Sequence, residues 1–221
     1  MPDRFRRLHL LVEGQTEEVV VAEVLRPHLE RAGWAVTFSI VTTRRAVGGP
    51  ARRGGLTTWA KLEREIRLLL RDSSIDVLTT LVDFYGLPEE CPGMSDRPAH
   101  DAYERVAHVE AAMAAAIGDH RFRPNVVLHE IEAWVFAAGV QLAELRGEPG
   151  LALKLAAEVG QAGGPELIND GPATAPSKRL IGHCPGYAKT VEGPLAVTAL
   201  GIDALRALCP HVDTWLLGLD A

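Results

Sequence analysis

Residues 8–18, Leu-His-Leu-Leu-Val-Glu-Gly-Gln-Thr-Glu-Glu, hold the first side chains that could do chemistry. An apolar run of strand length ends on Glu13, Gly14 follows, and Glu17 and Glu18 open a helical pattern. An acid at the carboxyl end of a buried strand lies where open α/β sheets bind their ligands. The glycine permits a tight turn and a close approach to the backbone. Glu17, one helical turn on, can face the same point as a direct or water-mediated ligand. Hard carboxylate oxygens gathered in this way suit Mg2+ or Mn2+. The plainer alternative is a strand, a turn and acids that stabilise a helix N-terminus.

Two further strand exits carry acids. Asp83 closes the run Val77–Val82 and precedes Phe84-Tyr85-Gly86-Leu87-Pro88. Val126–Leu128 leads into His129-Glu130-Ile131-Glu132-Ala133-Trp134. Carboxyl ends of parallel strands share one sheet edge, so Glu13, Glu17, Asp83 and Glu130 or Glu132 are candidate metal ligands. Glu130 and Glu132 are two apart and point in different directions on a helix; Glu130, nearer the strand end, is favoured. With Mg2+ or Mn2+ such a site suits phosphodiester hydrolysis. Tyr85 and Trp134 could stack on a base, with core packing the alternative for Trp134.

The segments Val12-Glu13-Gly14-Gln15-Thr16-Glu17, Val82–Pro88, His129–Ala133 and Ile168-Asn169-Asp170-Gly171-Pro172-Ala173-Thr174-Ala175-Pro176-Ser177-Lys178-Arg179 together carry a resemblance. The first resembles the Glu-Gly signature of Toprim domains. All four resemble a small bacterial Toprim-like family of unknown function, related to RloB-type proteins and to the overcoming-lysogenization-defect (OLD) nucleases. The resemblance implies a metal-dependent nuclease acting on DNA or RNA, an effector of anti-phage defence paired with an ATPase. It gives Glu13 the role of general base or acid, and Lys178 that of the cation facing the scissile phosphate. The alternative for Ser177-Lys178-Arg179 is a helix start, with Ser177 as N-cap and surface charges behind it. One departure stands out: Toprim domains carry Asp-x-Asp at the second motif, whereas Tyr85 stands where the second aspartate would be. That loss, with the acidic composition, favours the other function class, a non-catalytic binding or regulatory subunit of an ATPase complex.

The elements that must position these residues alternate. Strands are expected at Leu8–Glu13, Val36–Thr42, Val77–Asp83 and Val126–Leu128. Helices are expected at Thr16–Ala32, with Gly33 as its stop, and at Thr57–Arg71, Ala99–Ile117 and Glu130–Ala138. This order predicts an α/β fold, a Toprim-like mostly parallel sheet with helices on both faces. Beyond Gly139 the strand signal stops, and short helices are expected at Leu142–Leu145, Leu151–Val159, Pro165–Ile168, Leu195–Leu200, Ile202–Leu208 and Val212–Leu217. The expected organisation is a core over 1–138 and a helical C-terminal segment over 139–221 packed on it, without a linker.

The 221 residues suffice for one good core, and the net charge of −6 gives no general nucleic-acid footprint. Arg44, Arg45, Arg52 and Arg53 in a Gly/Pro-containing loop could form a local basic patch, with Arg179 as a further contact to the nucleic-acid backbone; the alternative, favoured for the loop taken alone, is a solvated linker with ordinary surface charges. The three cysteines, Cys91, Cys184 and Cys209, have neither disulfide nor zinc spacing, which suits a reducing cytoplasm. No leader and no run of about 20 apolar residues is visible, so no membrane partner is expected. The chain has no Gly-Lys-Ser/Thr loop, so an ATPase would be a separate partner; assembly of several copies is left open.

Overall fold

The computed structural model describes residues 6–41, 58–169 and 174–220. Arg44, Arg45, Arg52, Arg53 and the stretch 170–173 lie outside them. By packing, the chain forms two compact units. One holds the residues up to Glu18 together with Gly33–Val126; the other holds Val19–Ala32 and the residues from Val127 onward.

The first unit is the α/β part. Its strands are β1 (Arg6–Val12), β2 (Trp34–Ile40), β3 (Val77–Asp83) and β4 (Phe122–Arg123), in the order β2-β1-β3-β4. The short β5 (Val126–Val127) also pairs with β3. β1 runs parallel to β2 and β3, and β3 parallel to β4. All seven residues of β3 are buried. Because successive side chains point to opposite faces, both faces of the sheet are covered, as parallel sheets require. That is why β3 reads as a continuous apolar run, interrupted only by Thr79 and Thr80.

Thr80 has a specific task. Its hydroxyl donates to the Asn125 carbonyl at 2.8 Å and accepts the Asn125 N–H at 3.0 Å. Pro124 lies between β4 and β5 and has no N–H for the ladder, so a side chain satisfies the backbone at the break. Glu110 accepts the Val126 N–H at 2.7 Å. The two-residue β4 is too short to leave a periodic signal, and the sequence expectation missed it.

The expected helix over 16–32 is three pieces: α1 (Gln15–Val20), a π-helical turn at Val21–Leu25, and α2 (Arg26–Arg31). Gly33 follows with φ +90°, in the left-handed region where a glycine stop belongs. Thr58 caps α3 (Trp59–Leu69), accepting the Lys61 N–H, and Asp101 caps α4 (Ala102–Ile117). The loop between β3 and α4 is pinned to that helix. Arg105 donates to the carbonyls of Pro98 and Ala99, and a Cβ on Gly93 would stand 2.9 Å from the Ala112 Cβ.

The second unit is helical. α5 (Glu132–Ala137) packs against α6 (Gly139–Arg146), α7 (Pro149–Ala162), α8 (Pro176–His183), α9 (Glu192–Leu200) and α10 (Ile202–Leu208). Residues 132–136 are all buried, as expected of a helix apolar on every side. α5 begins at Glu132 rather than at Glu130. α8 begins at Pro176 with Ala175 in the cap position, so Ser177 is not its N-cap; proline at the first helical position costs no hydrogen bond. The buried Glu166 accepts the N–H groups of His211 and Val212, at 2.9 and 3.3 Å, at the start of α11 (Pro210–Asp220). A carboxylate there also meets the positive end of the helix dipole.

Candidate metal centre

The α/β unit contains three of the expected acids, Glu13, Glu17 and Asp83. The Glu13 N–H donates to the Leu81 carbonyl at 3.1 Å, which carries the β1–β3 ladder to the strand exits. The Glu13 carboxylate turns toward β3 and accepts the Asp83 N–H at 3.0 Å. Glu17 returns to Gly14: a Cβ on that glycine would lie 3.3 Å from the Glu17 Oε2. Glu17 is 4% exposed, Asp83 7%, and Glu13 is half-buried. Carboxylates are rarely this buried without a partner charge, a set of hydrogen bonds or a metal.

Gly86 completes the arrangement, a role that no sequence pattern marks. A Cβ there would stand 2.7 and 2.9 Å from the two Glu13 oxygens. Its φ lies outside the left-handed region, so the requirement is space and not backbone freedom. The 3-10 turn Phe84–Gly86 thus leaves a slot that the Glu13 carboxylate fills. Phe84 anchors the turn as a buried ring, while Tyr85, edge-on to it at 6.2 Å, is partly exposed.

Among the described residues no three His, Cys, Asp or Glu side chains gather closely enough to hold a metal between them. The donor chemistry nevertheless fits Mg2+, which is usually held by one or two carboxylates together with waters and substrate phosphate. Glu13 and Asp83 are the residues that would hold it.

The other expected site residues lie in the helical unit, and most are engaged there. Glu130 accepts the Ser177 N–H at 2.9 Å, so it satisfies the start of α8. Glu132 is wholly buried; its Oε2 meets the Lys189 Nζ at 3.0 Å and its Oε1 has no hydrogen-bond partner among the described residues. Burial pushes the Glu132 carboxyl up from its ordinary value, and Lys189 opposes that shift. The Tyr187 hydroxyl, also buried and unpartnered, is pushed up by burial and by the nearby Glu132 charge. Gly193 leaves room for that hydroxyl. Lys178 is exposed on the first turn of α8. Arg179 is held by Glu158 and by the Thr174 carbonyl at 2.9 Å, and His183 meets the same Glu158 at 3.0 Å. These contacts hold the Glu158 carboxyl below the usual range. Trp134 is buried core. Lys189, 57 residues from Glu132 and outside every motif, could be found only by folding the chain.

Among curated proteins nothing matches. Two solved structures are similar over nearly their whole length. The C-terminal region of the Burkholderia pseudomallei OLD protein is 16% identical with a TM-score of 0.45, covering 98% of this chain and 100% of that one. The C-terminal region of the Xanthomonas campestris pv. campestris OLD protein is 19% identical with a TM-score of 0.38, covering 97% and 98%. No helix among the described residues is long and apolar enough to cross a membrane. A family model matches residues 12–220, nearly the whole chain, and the protein accordingly belongs to the family described as Domain of unknown function (DUF4276).

Proposed function

We propose that this chain is a metal-dependent nuclease of Toprim type, hydrolysing phosphodiester bonds of DNA or RNA. The observation that carries the reading is the Glu13 carboxylate, seated at the exit of β1 by the Asp83 N–H and the slot over Gly86. The motif resemblance to Toprim and RloB-type proteins supports it. Mg2+ or Mn2+, when bound, supplies charge neutralisation and an activated water. Glu13 and Asp83 would hold the ion, with Glu17 as a direct or water-mediated ligand. Glu13 is the group that takes up or returns the proton of the attacking water. The motif resemblance is what gives Lys178 the part of the cation that offsets charge on the phosphate. Defence against phage, a cytoplasmic setting and a separate ATPase partner belong to the same proposal.

The test is cleavage of plasmid, single-stranded DNA and tRNA with Mg2+ and with Mn2+. Glu13→Gln is nearly isosteric and should abolish cleavage while leaving the thermal transition in place. Cleavage by this variant at the wild-type rate refutes the assignment.

A second reading, a non-catalytic subunit of an ATPase complex, is favoured by two observations. Glu132 is neutralised by Lys189, and Tyr85 stands in place of a second aspartate. Absence of divalent binding by the wild-type chain, with Glu13→Gln indistinguishable from it in calorimetry, selects this reading.

A further inference from the structure

Helix α3 carries a face that the site does not use. Lys61, Arg64 and Leu68 follow one another on α3 at spacings of three and four residues, so they share one face, and Arg71 extends the stripe from the turn just past the helix end. All four are exposed. Arg67 flanks the stripe but is engaged: it donates to the carbonyls of Ala116 and Ile117 at 2.9 and 3.1 Å and pairs with Glu63 at 2.9 Å. Ala60, Glu63, Arg64, Arg67, Leu68 and Arg71 line a shallow groove of about 420 Å3 along this face. Arg64 and Arg71 make no side-chain hydrogen bond or ion pair with any described residue.

Two of the acids nearby, Glu63 and Asp72, are engaged elsewhere. Glu63 is spent on Arg67, and Asp72 accepts from the backbone N–H and hydroxyl of Ser74 and meets Arg7 at 3.8 Å. In a chain of net charge −6, two guanidinium groups that no described residue pairs with, beside a lysine, form a local positive field. From Lys61 to Leu68 the helical part of the stripe extends about 10 Å, with Arg71 beyond it, enough for several phosphates of one strand at about 3.4 Å of axis each.

We propose that this stripe binds the phosphate backbone of the nucleic-acid substrate, with Arg64 and Arg71 as its two free contacts. The proposal rests on the nuclease reading for its ligand class. Guanidinium groups suit phosphate because they present paired donors in a plane. A membrane surface fits less well, because Leu68 is the sole large apolar side chain on the stripe and cannot anchor a helix in lipid. The contacts are to the backbone, so the surface gives affinity without sequence preference.

The experiment measures binding of labelled single- and double-stranded DNA and of tRNA by fluorescence anisotropy across a salt series. It uses the full chain in EDTA, so that cleavage does not interfere. Arg64→Glu/Arg71→Glu should weaken binding roughly tenfold or more and make the slope of log affinity against log salt shallower by about 1.4–1.8. Arg64→Lys/Arg71→Lys should keep the wild-type slope, because that quantity reads charge. An unchanged thermal transition in both variants separates binding from folding. Equal affinity and slope in wild type and the Glu variant overturn the proposal. So does a wild-type chain that binds no nucleic acid, or one that binds phosphatidylserine vesicles through these arginines and not DNA or RNA. Failure of the nuclease reading is seen separately: a wild-type chain that binds through the stripe yet cleaves nothing with Mg2+ or Mn2+ keeps this inference and loses the activity.

Discussion

Gly86→Ala isolates the seat of the Glu13 carboxylate. The added Cβ would lie 2.7 Å from Oε2 and 2.9 Å from Oε1, where ordinary contact begins at 3.4 Å. The carboxylate must therefore move by about 0.7 Å, which takes its 3.0 Å hydrogen bond from the Asp83 N–H past the useful range. A lost bond to a charged acceptor costs about 1.5–3 kcal/mol when nothing replaces it. Water can reach the half-buried Glu13, so the lower end applies. Restricting the unfolded chain returns about 0.4–1 kcal/mol. The net expectation is about 1 kcal/mol of destabilisation in urea unfolding. In a Glu13→Ala background the clash is gone, so the same change should become neutral or stabilising by about 0.4–1 kcal/mol. Gly14→Ala, whose Cβ meets the Glu17 Oε2 at 3.3 Å, needs only a slight shift and should be near neutral. Calorimetry should also show weaker Mg2+ binding in Gly86→Ala. Equal cost of Gly86→Ala with and without Glu13 would refute the reasoning, because the two positions would then be uncoupled.

Other expectations follow from groups away from that seat. His9 is buried between the Thr37 and Ser39 hydroxyls, and burial, then Arg7, lowers its pKa from 6.5. The unfolded chain then binds the proton first, so stability should fall as pH drops below about 6.5, and His9→Gln should flatten that slope in urea midpoints. Glu132 has its pKa raised by burial against the opposing Lys189, so its contribution is full below 4.5 and declines as pH rises through the folded value. Lys189→Met should cost about 1–2 kcal/mol at neutral pH, discounted because Lys189 is 43% exposed, and less near pH 4.5; a cost independent of pH would contradict the pairing. Cys91 is pushed up to about 12 by burial, and Cys184 and Cys209 are also raised and buried. Native protein should react with thiol reagents only at the rate of unfolding; fast labelling of any cysteine would show that the burial is wrong.

The sequence by itself determined the alternation of strands and helices as far as Gly139, the parallel sheet, and the acids at strand exits. These are properties of local pattern: a doubly covered strand must be apolar throughout, and an acid after it must emerge at the edge. Val77–Asp83 matches its strand residue for residue for this reason. Tertiary structure decided the rest. Pro124 splits the last strand, and only the distant Thr80 hydroxyl shows how the break is satisfied. Glu130 and Glu132 looked equivalent to Glu13 in sequence, yet one is spent on the Ser177 N–H and the other on Lys189. Gly86 reads as a turn residue until the Glu13 oxygens are found where its Cβ would be. Whether a carboxylate is held in place, capped onto a helix or paired depends on partners dozens of residues away, which no local spacing encodes.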